Sequence, residues 1–265
     1  MTAPLSPDPR PLCAPHRGPA RLGAWFLSHI LPALCAGCGE QLGVDQRQGI
    51  CISCWSELER TLRFLPRSAC SRCAEPLSGS GSKDLHGAPC CSRCLRAPPP
   101  HDWALALWVY SGAARGAVLA FKYGEIPGLA EPLAEAALRA AAERFAPGQI
   151  LIPVPLHPRR RRERGLNAAE ELARAITRRS GIPMAQALER PLSLTPQSGL
   201  GRTERRRNAA NSFRISRPEA VHGRPVVLVD DVLTTGSTAG VCARLLLGAG
   251  ARSVGVLALA RARLE

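Results

Sequence analysis

The sequence predicts two structural units: a small cysteine-knuckled region, then an α/β domain whose largely parallel sheet is covered by helices on both faces. Three observations predict this. Four C-x-x-C turns fall within residues 35–94, and from Trp103 onward short apolar runs alternate with stretches of helical spacing. Between the two, Arg96-Ala-Pro-Pro-Pro-His101 marks a boundary, because successive prolines enter neither a helix nor a central strand. The 265 residues, 45% of them apolar, suffice for one ordinary domain plus a small one. The expected organisation is a disordered tail over 1–24, the cysteine region over 25–98 and the α/β domain over 101–265.

Residues 1–23 are rich in proline, arginine and small polar residues and lack the basic segment and apolar core of an export signal, so a cytoplasmic protein is expected. No apolar run approaches eighteen residues, and the candidate over 25–35 is broken by Ser28, His29 and Pro32, so no membrane span is expected. Without export, the cysteines read as metal ligands rather than disulfides. Cys35-Ala-Gly-Cys38 pairs with Cys51-Ile-Ser-Cys54, and Cys70-Ser-Arg-Cys73 with Cys91-Ser-Arg-Cys94, one unit used twice. Each pair of knuckles supplies four thiolates, a closed tetrahedral site for a structural zinc with no open position for water. Two zinc ions per chain are therefore expected. Cys90 stands beside Cys91 as an alternative ligand, although only Cys91 keeps the two-residue spacing to Cys94; Cys13 and Cys242 have no partner in the sequence.

In the α/β domain, strands are expected over 105–110, 150–154, 225–229 and 254–260, each short, apolar and mostly bounded by glycine, proline or charge. Helices are expected over 129–145, 167–180 and 238–248, where apolar residues recur at helical spacing. The sharpest motif runs Val226-Val227-Leu228-Val229-Asp230-Asp231-Val232-Leu233-Thr234-Thr235-Gly236-Ser237-Thr238. A buried strand delivers two carboxylates to its end, and a hydroxyl-rich loop then opens a helix whose N–H groups can cradle a phosphate monoester. The acids suit ribose hydroxyls or the outer shell of magnesium, so the motif describes a ribose 5-phosphate holder. A P-loop reading fails, because neither lysine, Lys83 nor Lys122, follows a glycine.

The net charge is +14, nearly all of it arginine. Residues 159–164 carry five arginines and one glutamate, and residues 202–207 four arginines and one glutamate. Eight thiolates on two zinc ions would lower the total only to about +10, so polyphosphates or nucleic acid are favoured partners. Aromatic residues make up only 4%, which argues against an extensive base-stacking platform and for electrostatic contacts.

The 226–238 stretch resembles the phosphoribosyl pyrophosphate (PRPP) signature of type I phosphoribosyltransferases. Together with the cysteine region, Lys122-Tyr123-Gly124, Pro153-Val154-Pro155-Leu156-His157-Pro158, Arg162-Glu163-Arg164-Gly165-Leu166-Asn167 and Arg205-Arg206-Arg207-Asn208, the chain is similar to the ComF/GntX family over roughly residues 31–261. That resemblance implies a double zinc ribbon followed by a phosphoribosyltransferase-like parallel sheet with flanking helices, a role in natural competence and DNA uptake, and magnesium accompanying PRPP. It implies that Asp230 and Asp231 bind the ribose, that the loop of Val232, Leu233, Thr234, Thr235, Gly236, Ser237 and Thr238 holds the 5-phosphate, and that Leu156, His157, Pro158 and Arg159 form the pyrophosphate loop. Residues 197–213 would be the mobile loop, with Arg202, Arg205 and Arg206 neutralising the leaving group and Lys122 an added contact. One departure is Ala168, where glutamine is expected in many relatives; another is Leu166 in place of phenylalanine. Three functions compete: transfer of phosphoribose to an acceptor, a PRPP-regulated factor binding single-stranded DNA, and nucleobase salvage. Competence helicase and DNA-processing proteins are the implied protein partners.

Overall fold

The computed structural model describes residues 34–43, 49–64, 68–77, 82–124, 126–191 and 212–263. The expected tail, Cys13, and Arg202, Arg205, Arg206 and Arg207 with most of the mobile loop lie outside the described residues.

Among the described residues, four strands form one sheet: β1 (Trp103–Val109), β2 (Ile150–Pro153), β5 (Pro225–Leu233) and β6 (Ser253–Arg261), in the order β1-β6-β5-β2 with every neighbouring pair parallel. A separate antiparallel pair joins β3 (Leu188–Glu189) to β4 (Arg214–Ile215). The strands read as unbroken apolar runs because both faces are covered. Alternate residues divide between two cores, except that Trp108 and Ala260 share the core of their neighbours Leu107 and Leu259. Leu105, Leu107, Leu151, Val227, Val229, Leu257 and Leu259 point to one core, while Ala104, Ala106, Ile150, Ile152, Val226, Leu228 and Val256 point to the other.

The first face is covered by α1 (Ile52–Phe64), α3 (Gly112–Lys122), α4 (Ala130–Ala140) and α6 (Ala168–Ser180), the second by α7 (Ser237–Gly248). The short helix α2 (Ser92–Arg96) starts from Cys91 and carries Cys94 of the last knuckle, and α5 (Pro158–Arg164) follows β2. The helix expected over 129–145 ends at Ala140 and closes with a 3-10 turn at Ala142–Arg144. The strand expected to stop at Val229 continues through the acid pair to Leu233, because β6 keeps pairing with it as far as Arg261.

The cysteine region packs directly on this domain. Trp55, Leu58 and Leu62 of α1 share a core with Leu107 and Trp108, and the Trp108 indole N–H donates to the Leu58 carbonyl at 2.8 Å. A Cβ placed on Gly116 of α3 would lie 1.8 Å from the Ala36 carbonyl oxygen, so the first knuckle rests backbone to backbone on that helix. The second knuckle meets the free edge of the sheet, where the Ala104 N–H donates to the Ser71 carbonyl at 2.9 Å.

Candidate functional site

From β2 the chain passes through α5 and α6 to Met184, which bridges Leu151 in parallel on the outer side of β2, and only later returns to β5 on the inner side. The connections thus diverge at β2. In a parallel sheet such a reversal leaves a crevice beyond the carboxyl ends of the two strands, where ligands bind. The motifs singled out in the sequence converge there.

On the β5 side, Asp230 and Asp231 are both partly buried. The Asp231 N–H donates to Asp230 Oδ1 at 2.8 Å, and the Val232 N–H donates to Asp231 Oδ1 at 2.7 Å. Lys122, the last residue of α3, places Nζ 2.8 Å from Asp231 Oδ2. The two carboxyls therefore differ. Burial, then the charge of Asp231, pushes the Asp230 carboxyl up to about 8, while the Asp231 N–H and Lys122 pull against that rise. Beyond Leu233, Thr234, Thr235, Ser237 and Thr238 are exposed. Gly236 takes the left-handed conformation (φ +78°) at the start of α7, and Thr235 Oγ1 lies 2.8 Å from Ser237 Oγ. The Ser237 N–H donates to Thr235 Oγ1 at 3.3 Å, and the exposed hydroxyls stand at the N-terminus of α7, an arrangement that suits a phosphate.

On the β2 side, Pro158 begins α5 and His157 caps it, its Nδ1 accepting the Arg159 N–H at 3.2 Å. The Arg159 guanidinium is engaged by Glu163 at 2.9 Å. Asn167 caps α6 through the Ala169 N–H and donates from Nδ2 to the Val154 carbonyl at 3.0 Å, tying that helix to the end of β2. The Arg164 guanidinium lies 5.0 Å from the centre of the Tyr123 ring, and Leu166 packs on Gly124, so the Lys122-Tyr123-Gly124 turn and the Arg164–Asn167 segment meet as one wall. Ala168 is buried and offers no polar contact.

The eight expected cysteines fall into two clusters, Cys35, Cys38, Cys51 and Cys54, and Cys70, Cys73, Cys91 and Cys94, with the sulfurs of each within 4.8 Å of one another. A tetrahedron with zinc–sulfur bonds of about 2.3 Å has edges of about 3.8 Å. Cys38 and Cys51 stand 3.8 Å apart and Cys73 and Cys91 3.7 Å apart, so both clusters fit structural zinc. Backbone donors stabilise the thiolates: the Cys51 N–H reaches Cys35 Sγ at 3.2 Å and the Cys91 N–H reaches Cys70 Sγ at 3.3 Å. Burial pushes the Cys35 thiol up, but N–H donors from Cys51, Cys38 and Gly37 outweigh it and bring it down to about 6. Cys91 completes the second cluster. Cys90 is buried behind it, and burial raises its thiol to about 11.

The structure also brings in residues that sequence reasoning passed over. Glu170, buried at the start of α6, is met by Arg174, by Arg161 at 3.4 Å and by Gln186 at 2.6 Å, which fastens α5 to α6. Arg261 closes β6 with its side chain buried, reaching Glu75 of the second knuckle. A charge ending an apolar strand was the available signal for Arg261; nothing in the sequence pairs it with Glu75.

A double zinc ribbon domain model matches residues 26–95, and a phosphoribosyl transferase domain model matches residues 164–264. The "DNA utilization protein YhgH" of Escherichia coli O157:H7 is 33% identical over 237 residues, covering 87% of this chain and 98% of the relative. The "Competence protein F" of Haemophilus influenzae is 29% identical over 236 residues, covering 86% of this chain and 96% of the relative. Among solved structures, a glutamine PRPP amidotransferase from B. subtilis aligns at 19% identity and TM-score 0.39, covering 53% of this chain and 30% of that one.

Proposed function

Because this chain belongs to the ComF family of competence and DNA-utilization proteins, we propose that it binds PRPP with magnesium in the β2/β5 crevice and serves the uptake and use of external DNA. The observation that carries the reading is the acid pair near the end of β5, with Lys122 on Asp231 and, after Val232 and Leu233, the hydroxyl loop and the N-terminus of α7. Asp230 and Asp231 accept the ribose hydroxyls, and Thr234–Thr238 hold the 5-phosphate. His157 and the start of α5 face the pyrophosphate. Magnesium, when bound with PRPP, neutralises part of the pyrophosphate charge.

The chemistry that suits this arrangement is transfer of phosphoribose. The bond between ribose C1 and the pyrophosphate oxygen breaks, its electron pair leaves with pyrophosphate, and a nucleophile of the acceptor bonds to C1. Such a site works by positioning and charge, with the acids opposite the ribose as positive charge grows there. A second reading, a single-stranded-DNA-binding factor regulated by PRPP, is favoured by Arg160 and Arg162. Both are exposed on α5 and neither has an acidic partner among the described residues.

The test is calorimetric titration of magnesium-PRPP, with Asp230→Asn/Asp231→Asn as control. Saturable binding that the double variant loses supports the site. No binding by folded, zinc-loaded protein refutes it and leaves the DNA-binding reading in front.

A further inference from the structure

We propose that the second cysteine knuckle is a working part of the phosphoribose site: Glu75, acting through the buried Arg261, positions the loop that holds the 5-phosphate. The inference rests on the reading of that loop given above and adds a positioning pair to it. Arg261 is 1% exposed, and its guanidinium reaches in two directions. Nη1 donates to the Leu233 carbonyl at 3.2 Å, and Nη2 lies 2.7 Å from Glu75 Oε2. Glu75 is the one carboxylate within ion-pair distance of Arg261 among the described residues.

Leu233 is the last residue of β5, and the exposed stretch from Thr234 to Thr238 starts at its carbonyl. That carbonyl also accepts the Ala262 N–H at 2.9 Å, so two donors from the end of β6 fix the point where the strand becomes a loop. Glu75 is fixed in turn by the knuckle. Its carbonyl accepts the Cys70 N–H at 2.8 Å, and the neighbouring Ala74 is buried in the core that also contains Leu233 and Ala239 of α7. A chain of contacts therefore runs from a zinc-ligating cysteine, through a buried ion pair, to the first carbonyl of the loop. A buried pair of this kind is costly to desolvate and gives direction rather than stability, since apolar residues of the same volume often pack as well. The direction it gives here is the orientation of the Leu233 carbonyl.

The experiment compares wild type, Glu75→Gln and the double variant Glu75→Leu/Arg261→Met, each checked for zinc content and thermal stability. The readouts are affinity for magnesium-PRPP and hydrogen exchange of the backbone amides at 234–238. Glu75→Gln should weaken magnesium-PRPP about tenfold, within the usual range for coupling between sites, and should speed exchange in the loop. The double variant removes the buried charge, so it should recover stability while affinity stays low. Wild-type affinity and exchange in Glu75→Gln, or recovery of affinity together with stability in the double variant, would overturn the proposal by reducing the pair to packing. If Glu75→Gln loses zinc or folds poorly, the double variant decides. If wild type itself does not bind magnesium-PRPP, the functional reading falls separately. Loop exchange then decides the positioning role, faster exchange upholding it and unchanged exchange ending it.

Discussion

At the scale of single residues, the acid pair makes the site pH-dependent. Asp230 is held protonated well above the range of an exposed carboxyl, up to about 8, by burial and by the neighbouring Asp231. With its folded value above its unfolded one, the native state binds more protons than the unfolded state across the window from about 4 to about 8, so stability falls as pH rises through it. Asp230→Asn should therefore stabilise the ligand-free protein at pH 8.5 by at least about 1 kcal/mol, read as a higher thermal midpoint, with the gain narrowing toward pH 5. Binding has the opposite slope. An ionised carboxylate accepts two hydroxyls where a protonated one must donate, so PRPP affinity should climb from pH 6.5 to 8.5 with release of a proton, readable by calorimetry in buffers of different ionisation heat. Lys122→Met removes the cation 2.8 Å from Asp231 and should weaken PRPP at neutral pH; equal affinity would show that the lysine only decorates the surface. The acid pair was legible from its place after four apolar residues. The partnership of Lys122 with Asp231 was not, because it depends on where α3 ends in space.

At the scale of elements, two glycines carry separable loads. A Cβ on Gly236 would meet nothing within 4 Å, so Gly236→Ala is opposed only by its left-handed backbone, at a cost of about 1–2 kcal/mol. Thermal unfolding should show that loss, and PRPP binding should weaken with it as the loop reshapes. Gly116→Ala instead drives a methyl into the Ala36 carbonyl. Stability should fall by about 2 kcal/mol, and zinc per chain should drop from two toward one as the first knuckle lifts from α3; a full zinc complement would contradict that close contact. Strands and long helices were readable from apolar periodicity, since β1, β2, β5 and β6 overlap all four expected runs. The extension of β5 past its acids was not readable, because pairing with β6 rather than hydrophobicity carries the strand to Leu233. The five-arginine cluster read as a basic segment, yet its helix is set by the His157 cap and Pro158.

At the scale of the molecule, charge and zinc act over the whole chain. With a net charge of +14, binding to a labelled single-stranded oligonucleotide should fall about tenfold or more between about 50 and about 200 mM salt; a flat response would count against an arginine-driven interface. Stripping zinc should reach further than the ribbons, because Cys51 and Cys54 share a core with Trp55, Leu107 and Trp108. Chelation should lower the melting temperature of the α/β domain and change the fluorescence of Trp108. The proline boundary near residue 100 suggested two units in the sequence, while the contacts of α1 and of Glu75 lie beyond what spacing encodes. The order of the sheet carries one more consequence. β1 has β6 as its partner, and the Val254 N–H donates to Asp102 Oδ2 across 152 residues of sequence. On the ribosome, the knuckles can take up their metal early, but β1 and everything resting on it must wait for β6 to emerge. Until then the β6-facing edge of β1 lacks its partner, so the sheet closes late and through a contact between distant parts of the chain.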